Sequence, residues 1–275
     1  MESCAEYGDI KPLSVAILDL LVASKTVLPT LLSLISLTLK DFTEDENTLM
    51  RKDSILSSLL SSYALTIVEP EYKYLQSTIG PLVLEVCQKA EKEKEVGIGV
   101  GTQAEQEATL AMAGRFQKAI FSSPDSVPFP IRVLAARIKN EAMEKGFDGV
   151  VGRLLGGFIL LRVVCSAIIN PVSFMGSDFK HGMKAQSALV LMSKLMQNLS
   201  NKTMPRSENM NFTHEFLKNH TLQVEDFLLR TASFSDKYAR ESNPSVDTLK
   251  HEQSLSTIYK FTSANAHEML IHFQR

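Results

Sequence analysis

Residues 13–39 read LSVAILDLLVASKTVLPTLLSLISLTL, and the spacing of their apolar side chains decides the fold class. Leu13, Ile17, Leu20 and Leu21, then Leu28, Leu31, Leu32, Ile35 and Leu39, recur at intervals of three and four. That is the repeat of one helix face, not the alternation of a strand. Pro29 falls where a second helix begins, and the first turn tolerates its missing N–H. Outward from there the pattern persists. Ile55, Leu59, Leu60 and Tyr63 line one side of a helix over 54–68. A further helix is expected over 72–90, kinked or broken at Pro81. Residues 246–273 predict a final amphipathic helix with Leu249, Leu255, Ile258, Phe261 and Leu270 inward. Period-two runs between turn pairs are scarce, and strands do not alternate with helices. The class is all-α.

The chain reads as one helical domain over residues 13–275 after an N-terminal extension, 1–12. A length of 275 residues is ample for a buried core. The stretch EKEKEVGIGVGTQAEQE, residues 91–107, reads as a flexible surface loop because charge gives way to Gly97, Gly99 and Gly101. Three prolines mark a second loop over 122–130, and 204–210 and 242–245 mark two more. Lys and Arg number 29 against 31 Asp and Glu, so the formal charge is 29 − 31 = −2. This removes the overall field expected of a general nucleic-acid binder. Cys4, Cys87 and Cys165 are too few and too far apart for a disulfide framework or a CxxC metal site, which fits a reducing compartment. The opening MESCAEYGDIKP lacks the basic and apolar regions of a secretory signal.

Two apolar stretches invite comparison with a membrane span. Residues 13–39 contain Asp19, Lys25 and Pro29, and residues 150–175 contain Arg153 and Arg162. Neither gives 18 clean apolar residues, so both read as core helices and no direct membrane span is expected. Signatures of self-contained catalysis are missing. There is no GxxxxGK[ST] and no GxSxG. Gly97-Ile98-Gly99-Val100-Gly101 does not follow a strand, as a phosphate loop would. His267, Glu268 and His272 form HExxxH, in which five residues turn a helix by about 140° past a full turn and point the imidazoles apart.

Two arginines carry more information. Arg162 lies inside GGFILLRVVCSAIINP, an apolar run in which an unpaired guanidinium would be costly. It has five donors in a fixed fork and must reach carboxylates or backbone carbonyls. Pinning a loop and binding a ligand both satisfy that need. Arg51 lies in DFTEDENTLMRKDSILSSLL, after an acidic run and just before a helix capped by Asp53 or Ser54. A cationic side chain can project there, though position alone does not make it functional.

At these two segments the chain resembles the catalytic domain of Ras GTPase-activating proteins. The family's finger-loop motif, close to ENTLFR, is matched by Glu46-Asn47-Thr48-Leu49-Met50-Arg51. Its signature FLRxxxPAxxxP is matched by Leu160-Leu161-Arg162-Val163-Val164-Cys165-Ser166-Ala167-Ile168-Ile169-Asn170-Pro171. YKYLQSTIGPL at 72–82, QNLSN at 197–201 and LSTIYKFTSANAHEML at 255–270 add to the resemblance, which runs from about residue 13 to the end. Met50, Leu160 and Ser166 depart from the family's Phe, Phe and Pro. Ser166 removes a fixed φ and adds a donor.

The resemblance implies an elongated helical domain that activates a Ras-type small GTPase in its GTP-bound form. It implies Arg51 as an arginine finger inserted in trans, and Arg162 as the residue that holds the finger loop by its backbone. It implies a partner-binding groove of Arg153, Leu161, Lys194 and Asn201, with Lys194 paired to Glu208. No cofactor or metal would be held by this chain, because GTP and Mg²⁺ belong to the partner. A cytoplasmic location follows, with flanking domains recruiting it to the inner face of the plasma membrane. Related domains without the finger arginine do not activate. Retention of Arg51 therefore favours an activator over a non-catalytic GTPase-binding domain.

Overall fold

A computed structural model describes residues 10–41, 50, 54–91 and 97–233 of the chain. The helix expected over 246–273, the HExxxH histidines and Arg51 lie outside the described residues. Helices α1 (Ile10–Ala23) and α2 (Val27–Asp41) open the fold. Helix α1 therefore starts three residues ahead of the expected boundary. Between the two, Lys25 takes a left-handed φ of 58°, the Lys25 N–H bonds the Val22 carbonyl, and the Thr26 N–H bonds the Leu21 carbonyl. This pair of bonds is a Schellman close, and it satisfies carbonyls that a helix end would leave bare. Leu28, Leu31, Leu32, Ile35 and Leu39 are all buried, as their spacing requires. Helix α1 is rotated from its expected face. Leu13, Ala16, Leu18 and Val22 are its buried apolar residues, while Ile17, Leu20 and Leu21 are only half-buried. In a helix this apolar, spacing alone leaves several faces nearly equivalent, and packing against α2 and the next helix selects one.

Helix α3 (Ile55–Tyr63) continues through a π-wound turn, Ala64–Val68, into α4 (Glu69–Tyr72). The helix expected over 72–90 then divides. Lys73, at φ 51°, ends α4, and α5 (Tyr74–Thr78) and α6 (Gly80–Glu91) follow, with Pro81 in the first turn of α6. The break at Lys73 is stabilised by Glu69. Its side chain is 4% exposed and accepts the N–H groups of Leu75 at 2.8 Å and Gln76 at 2.9 Å.

The loop expected at 91–107 is narrower than expected. Residues 103–107 belong to α7 (Gln103–Phe121), whose N-cap Thr102 exchanges hydrogen bonds with Glu105 in a capping box. The T-x-x-E spelling announces that start. Gly99 is tied to α7 through Thr109, and Ile98 and Val100 pack on the core. Helix α8 (Phe129–Glu144) follows and lies against α2.

The next stretch is the centre of the molecule. Helix α9 (Val151–Leu155) runs into a ten-residue π-wound segment, Gly156–Cys165, then α10 (Ser166–Ile169) and α11 (Val172–Met175). Helices α12 (Met183–Asn201) and α13 (His214–Thr231) complete the described fold. The π segment packs on α3 and on α12, and α12 also touches α6, α7, α10 and α13. By length and composition the helix Asp148–Ile169 could cross a membrane, more than its two arginines suggested. Yet 67% of its most apolar window is buried inside the fold, the condition of a core helix. Two polar exchanges tie it to α12. The Cys165 thiol donates to the Ser193 carbonyl, and the Ser193 hydroxyl donates back to the Cys165 carbonyl at 3.3 Å. Burial pushes the Cys165 thiol up to about 12.

Gly156 meets α12 at backbone distance. A Cβ there would fall on the Ser200 hydroxyl, well inside van der Waals contact, with Leu228 at 3.6 Å. Ser200 is buried, and its hydroxyl has no hydrogen-bond partner among the described residues. Gly156→Ala is expected to lower stability by about 1–3 kcal/mol through overpacking. Ser200→Ala should leave stability unchanged or raise it, since an unsatisfied hydroxyl is removed. The double variant should regain part of the loss in urea unfolding. Full wild-type stability in Gly156→Ala would contradict the close approach.

Glu69 makes a second, pH-dependent prediction. Burial pushes its carboxyl above the ordinary 4.5, outweighing the opposing pull of the backbone N–H groups of Leu75, Gln76 and Tyr74. The folded state then keeps a proton that the unfolded chain releases, so stability falls as pH rises above 4.5 through the folded value. Glu69→Gln should be less stable than wild type at pH 4.5 and lack that downward slope. A wild-type profile that rises over this interval would contradict the assignment.

Candidate functional site

The segment between α2 and α3 leaves from one anchored residue and returns to another. At the exit, the Lys145 ammonium donates to the Lys40 carbonyl at 2.6 Å, where a cation also suits the negative end of α2. At the return, Ser54 caps α3. The Ser57 N–H donates to the Ser54 hydroxyl at 3.2 Å, and the Ser54 N–H donates to the Ser57 hydroxyl at 3.0 Å. A cap of this kind is worth about 1 kcal/mol.

Between these anchors stands Met50. Its side chain is 4% exposed, and its φ is 63°. A non-glycine residue in this left-handed region costs roughly 1–2 kcal/mol, so the surroundings must hold it there. Two features of the π segment meet it. The Arg162 Nε–H donates to the Met50 carbonyl at 3.3 Å, across 112 positions of sequence. Gly157 presents bare backbone to the same residue. A Cβ at Gly157 would lie 3.1 Å from the Met50 Cβ and 3.4 Å from its carbonyl oxygen.

Arg162 is half-buried, and it answers its burial in the loop-holding way, by reaching a backbone carbonyl. Its own carbonyl accepts the Ser61 hydroxyl of α3 at 2.8 Å. One residue thus joins the π segment to the segment before α3 and to α3 itself. Ser166 uses the donor that a proline would lack, giving its hydroxyl to the Leu161 carbonyl at 3.1 Å.

The remaining expected residues divide. Arg153 and Asn201 meet on one cleft of about 340 Å³, together with Asp148, Ser200, Lys202 and Glu225. Lys202 and Glu225 pair on it at 2.8 Å, and Arg153 is exposed, with no ion pair among the described residues. Lys194 is exposed two helical turns before Asn201. Seven residues turn a helix to about 20° short of two full turns, so the two share a face of α12. Lys194 does not line that cleft, and the expected pair with Glu208 does not form. Leu161 is half-buried beside Arg162. Gly157 and Ser61 were missed by the sequence reading. The adjacent glycines in an apolar run were the visible sign of close approach, whereas nothing in the spelling marks Ser61. Among the described residues no group of His, Cys, Asp and Glu is placed to hold a metal ion.

Comparison with known proteins bears on this geometry. The sequence model of the RasGAP family, described as GTPase-activator protein for Ras-like GTPase, matches residues 101–201. That range contains Arg153, Leu161, Arg162, Lys194 and Asn201. Residues 101–201 are thus similar to the RasGAP family. Similar curated proteins include Ras GTPase-activating protein gap-1 of Caenorhabditis elegans, 26% identical over 92% of this chain and 40% of that protein. The probable Ras GTPase-activating-like protein ngap of Dictyostelium discoideum is 26% identical over 70% of this chain and 22% of its own length. Ras GTPase-activating protein gap-2 of Caenorhabditis elegans is 22% identical over 78% of this chain and 18% of its own. The chain thus spans less than half the length of each. The RasGAP-family match begins after Met50, so the finger-loop segment lies outside it.

Arg162→Ala removes the donor to the Met50 carbonyl, and the left-handed turn should relax. Trypsin cleavage after Arg51 or Lys52 is then expected to quicken at least severalfold, and the melting temperature to fall by a few degrees, about 1 kcal/mol for one lost bond. Arg162→Lys should behave like Ala, because an ammonium does not reproduce the directed Nε–H. Unchanged cleavage in Arg162→Ala would contradict the tie.

Proposed function

We propose that this chain accelerates GTP hydrolysis by a Ras-type small GTPase, with Arg51 entering the partner's active site as an arginine finger. The observation that supports this reading most is the Arg162–Met50 bond, because Met50 is the residue directly before Arg51. Phosphoryl transfer to water spreads charge over the γ-phosphoryl oxygens and the leaving bridge oxygen. A guanidinium brought into that site meets the developing charge and excludes water, and it is useful only if it arrives already oriented. The hold on Met50, directly before Arg51, supports that demand, because a residue fixed in advance lowers the cost of ordering on binding.

In this reading the chain is a regulator and holds no nucleotide. GTP and Mg²⁺ are the partner's, and the chain acts on the cytoplasmic side, where flanking domains bring it to the membrane. The same reading assigns Arg153 and Asn201 on the cleft, Leu161 and the exposed Lys194 to the docking face. These basic groups on a chain of net charge −2 suit an acidic switch surface and steer association.

Single-turnover GTP hydrolysis by a panel of Ras-type GTPases, with and without this protein, tests the reading. Acceleration of at least one is expected. Arg51→Ala should lower the rate at saturating protein by about 10²–10³-fold, the cost of one preorganised donor, with binding to the GTP form little changed. Arg51→Lys should fail largely as well. Losses in Arg51→Ala and Arg162→Ala should not multiply, since both act through one segment. Lys194→Glu should weaken association, and rising salt should do the same. GTP-dependent binding without acceleration would favour the non-catalytic alternative. Full activity of Arg51→Ala would refute the finger.

A further inference from the structure

The π winding of residues 156–165 has a geometric consequence at Met50. Gly157 and Arg162 are five residues apart. In an α-helix five residues turn about 140° past a full turn, which would set the two on different faces. A π-helix closes its hydrogen bonds at i→i+5, so residue i+5 stands nearly above residue i. In the structure both residues do meet Met50, one through a missing Cβ and one through its guanidinium. Gly156, the neighbour, faces α12 instead. The two adjacent glycines therefore serve different contacts.

We propose that Gly157 is a positioning residue. Its bare α-carbon and the Arg162 guanidinium, aligned on one face by the π winding, clamp Met50 in its left-handed turn and so set the direction in which Arg51 leaves it. The inference rests on the reading of Arg51 as the inserted cation. Three observations carry it. Met50 is buried at a φ of 63°, a conformation its own side chain disfavours. A Cβ added at Gly157 would meet the Met50 Cβ first, at 3.1 Å, tighter than ordinary packing, and then the Met50 carbonyl. The carbonyl that leans over Gly157 is the one that Arg162 holds. A methyl group at 157 would have to push Met50 outward and would strain the Arg162 bond in the same motion.

The test uses the full chain and four variants: Gly157→Ala, Met50→Gly, and the doubles Gly157→Ala/Met50→Gly and Gly157→Ala/Met50→Ala. Both doubles shorten the Met50 side chain, but only Met50→Gly removes the Cβ that the new methyl meets. The first readout is the single-turnover rate at saturating protein, on a GTPase that wild type accelerates. Gly157→Ala should lower it about tenfold or more, since misplacement by up to 1 Å can cost about 10²-fold. The protein concentration giving half the effect should move far less. The second readout is the NMR resonance of the Arg162 Nε–H, which needs no GTPase. It should shift toward the position of an unbonded guanidinium in Gly157→Ala.

Met50→Gly should restore both readouts in the Gly157→Ala background, and Met50→Ala should not. A wild-type rate and an unmoved resonance in Gly157→Ala would overturn the clamp, and so would equal rescue by Gly and Ala. If no GTPase in the panel responds to wild type, the functional reading fails while the resonance still decides the clamp. If Gly157→Ala does not fold, folding of the Met50→Gly double alone would support the clamp. Failure of both doubles to fold would overturn it.

Discussion

A hydrogen bond from the Arg162 Nε–H to the Met50 carbonyl joins two parts of the chain that lie 112 positions apart in sequence. It asks a good deal of the structure around it. The guanidinium must sit in an apolar helix without being stranded there, which requires a buried carbonyl within reach. The carbonyl must face the guanidinium, which requires Met50 to adopt a left-handed φ. The helix must approach closely enough for the bond to form, which requires a glycine one π-turn earlier. The Ser61 hydroxyl bonds the Arg162 carbonyl, and Lys40 and Ser54 are held where the chain leaves α2 and enters α3.

Much of the fold was legible in the sequence because its helices are long and one-sided. Helices α2 and α3 bury the residues their spacing names. Legibility failed where the apolar face is too wide to define one side, as in α1, and where a side chain replaces a backbone bond. The break at Lys73 is of the second kind. A buried Glu69 supplies acceptors to the start of α5, and that role belongs to no propensity scale. The start of α7 was legible in T-x-x-E but was masked by the glycines before it.

The site was legible in a different way. Motif spelling brought Arg51 and Arg162 to notice, and burial chemistry required a partner for Arg162, but neither identified which atom it would hold. The π winding has no simple sequence period, so the alignment of Gly157 with Arg162 could be read only from the structure. Lys194 and Glu208 show the opposite failure, a resemblance extended to a pair that does not form here.

If Arg51 stabilises charge that exists only in the transition state, affinity should depend on that charge being present. The most direct measurement is association of this protein with a GDP-loaded Ras-type GTPase, with and without aluminium fluoride, which mimics the transferring phosphoryl group. The account predicts association that requires fluoride and is lost in Arg51→Ala. Association indifferent to fluoride, or undiminished in Arg51→Ala, would contradict it.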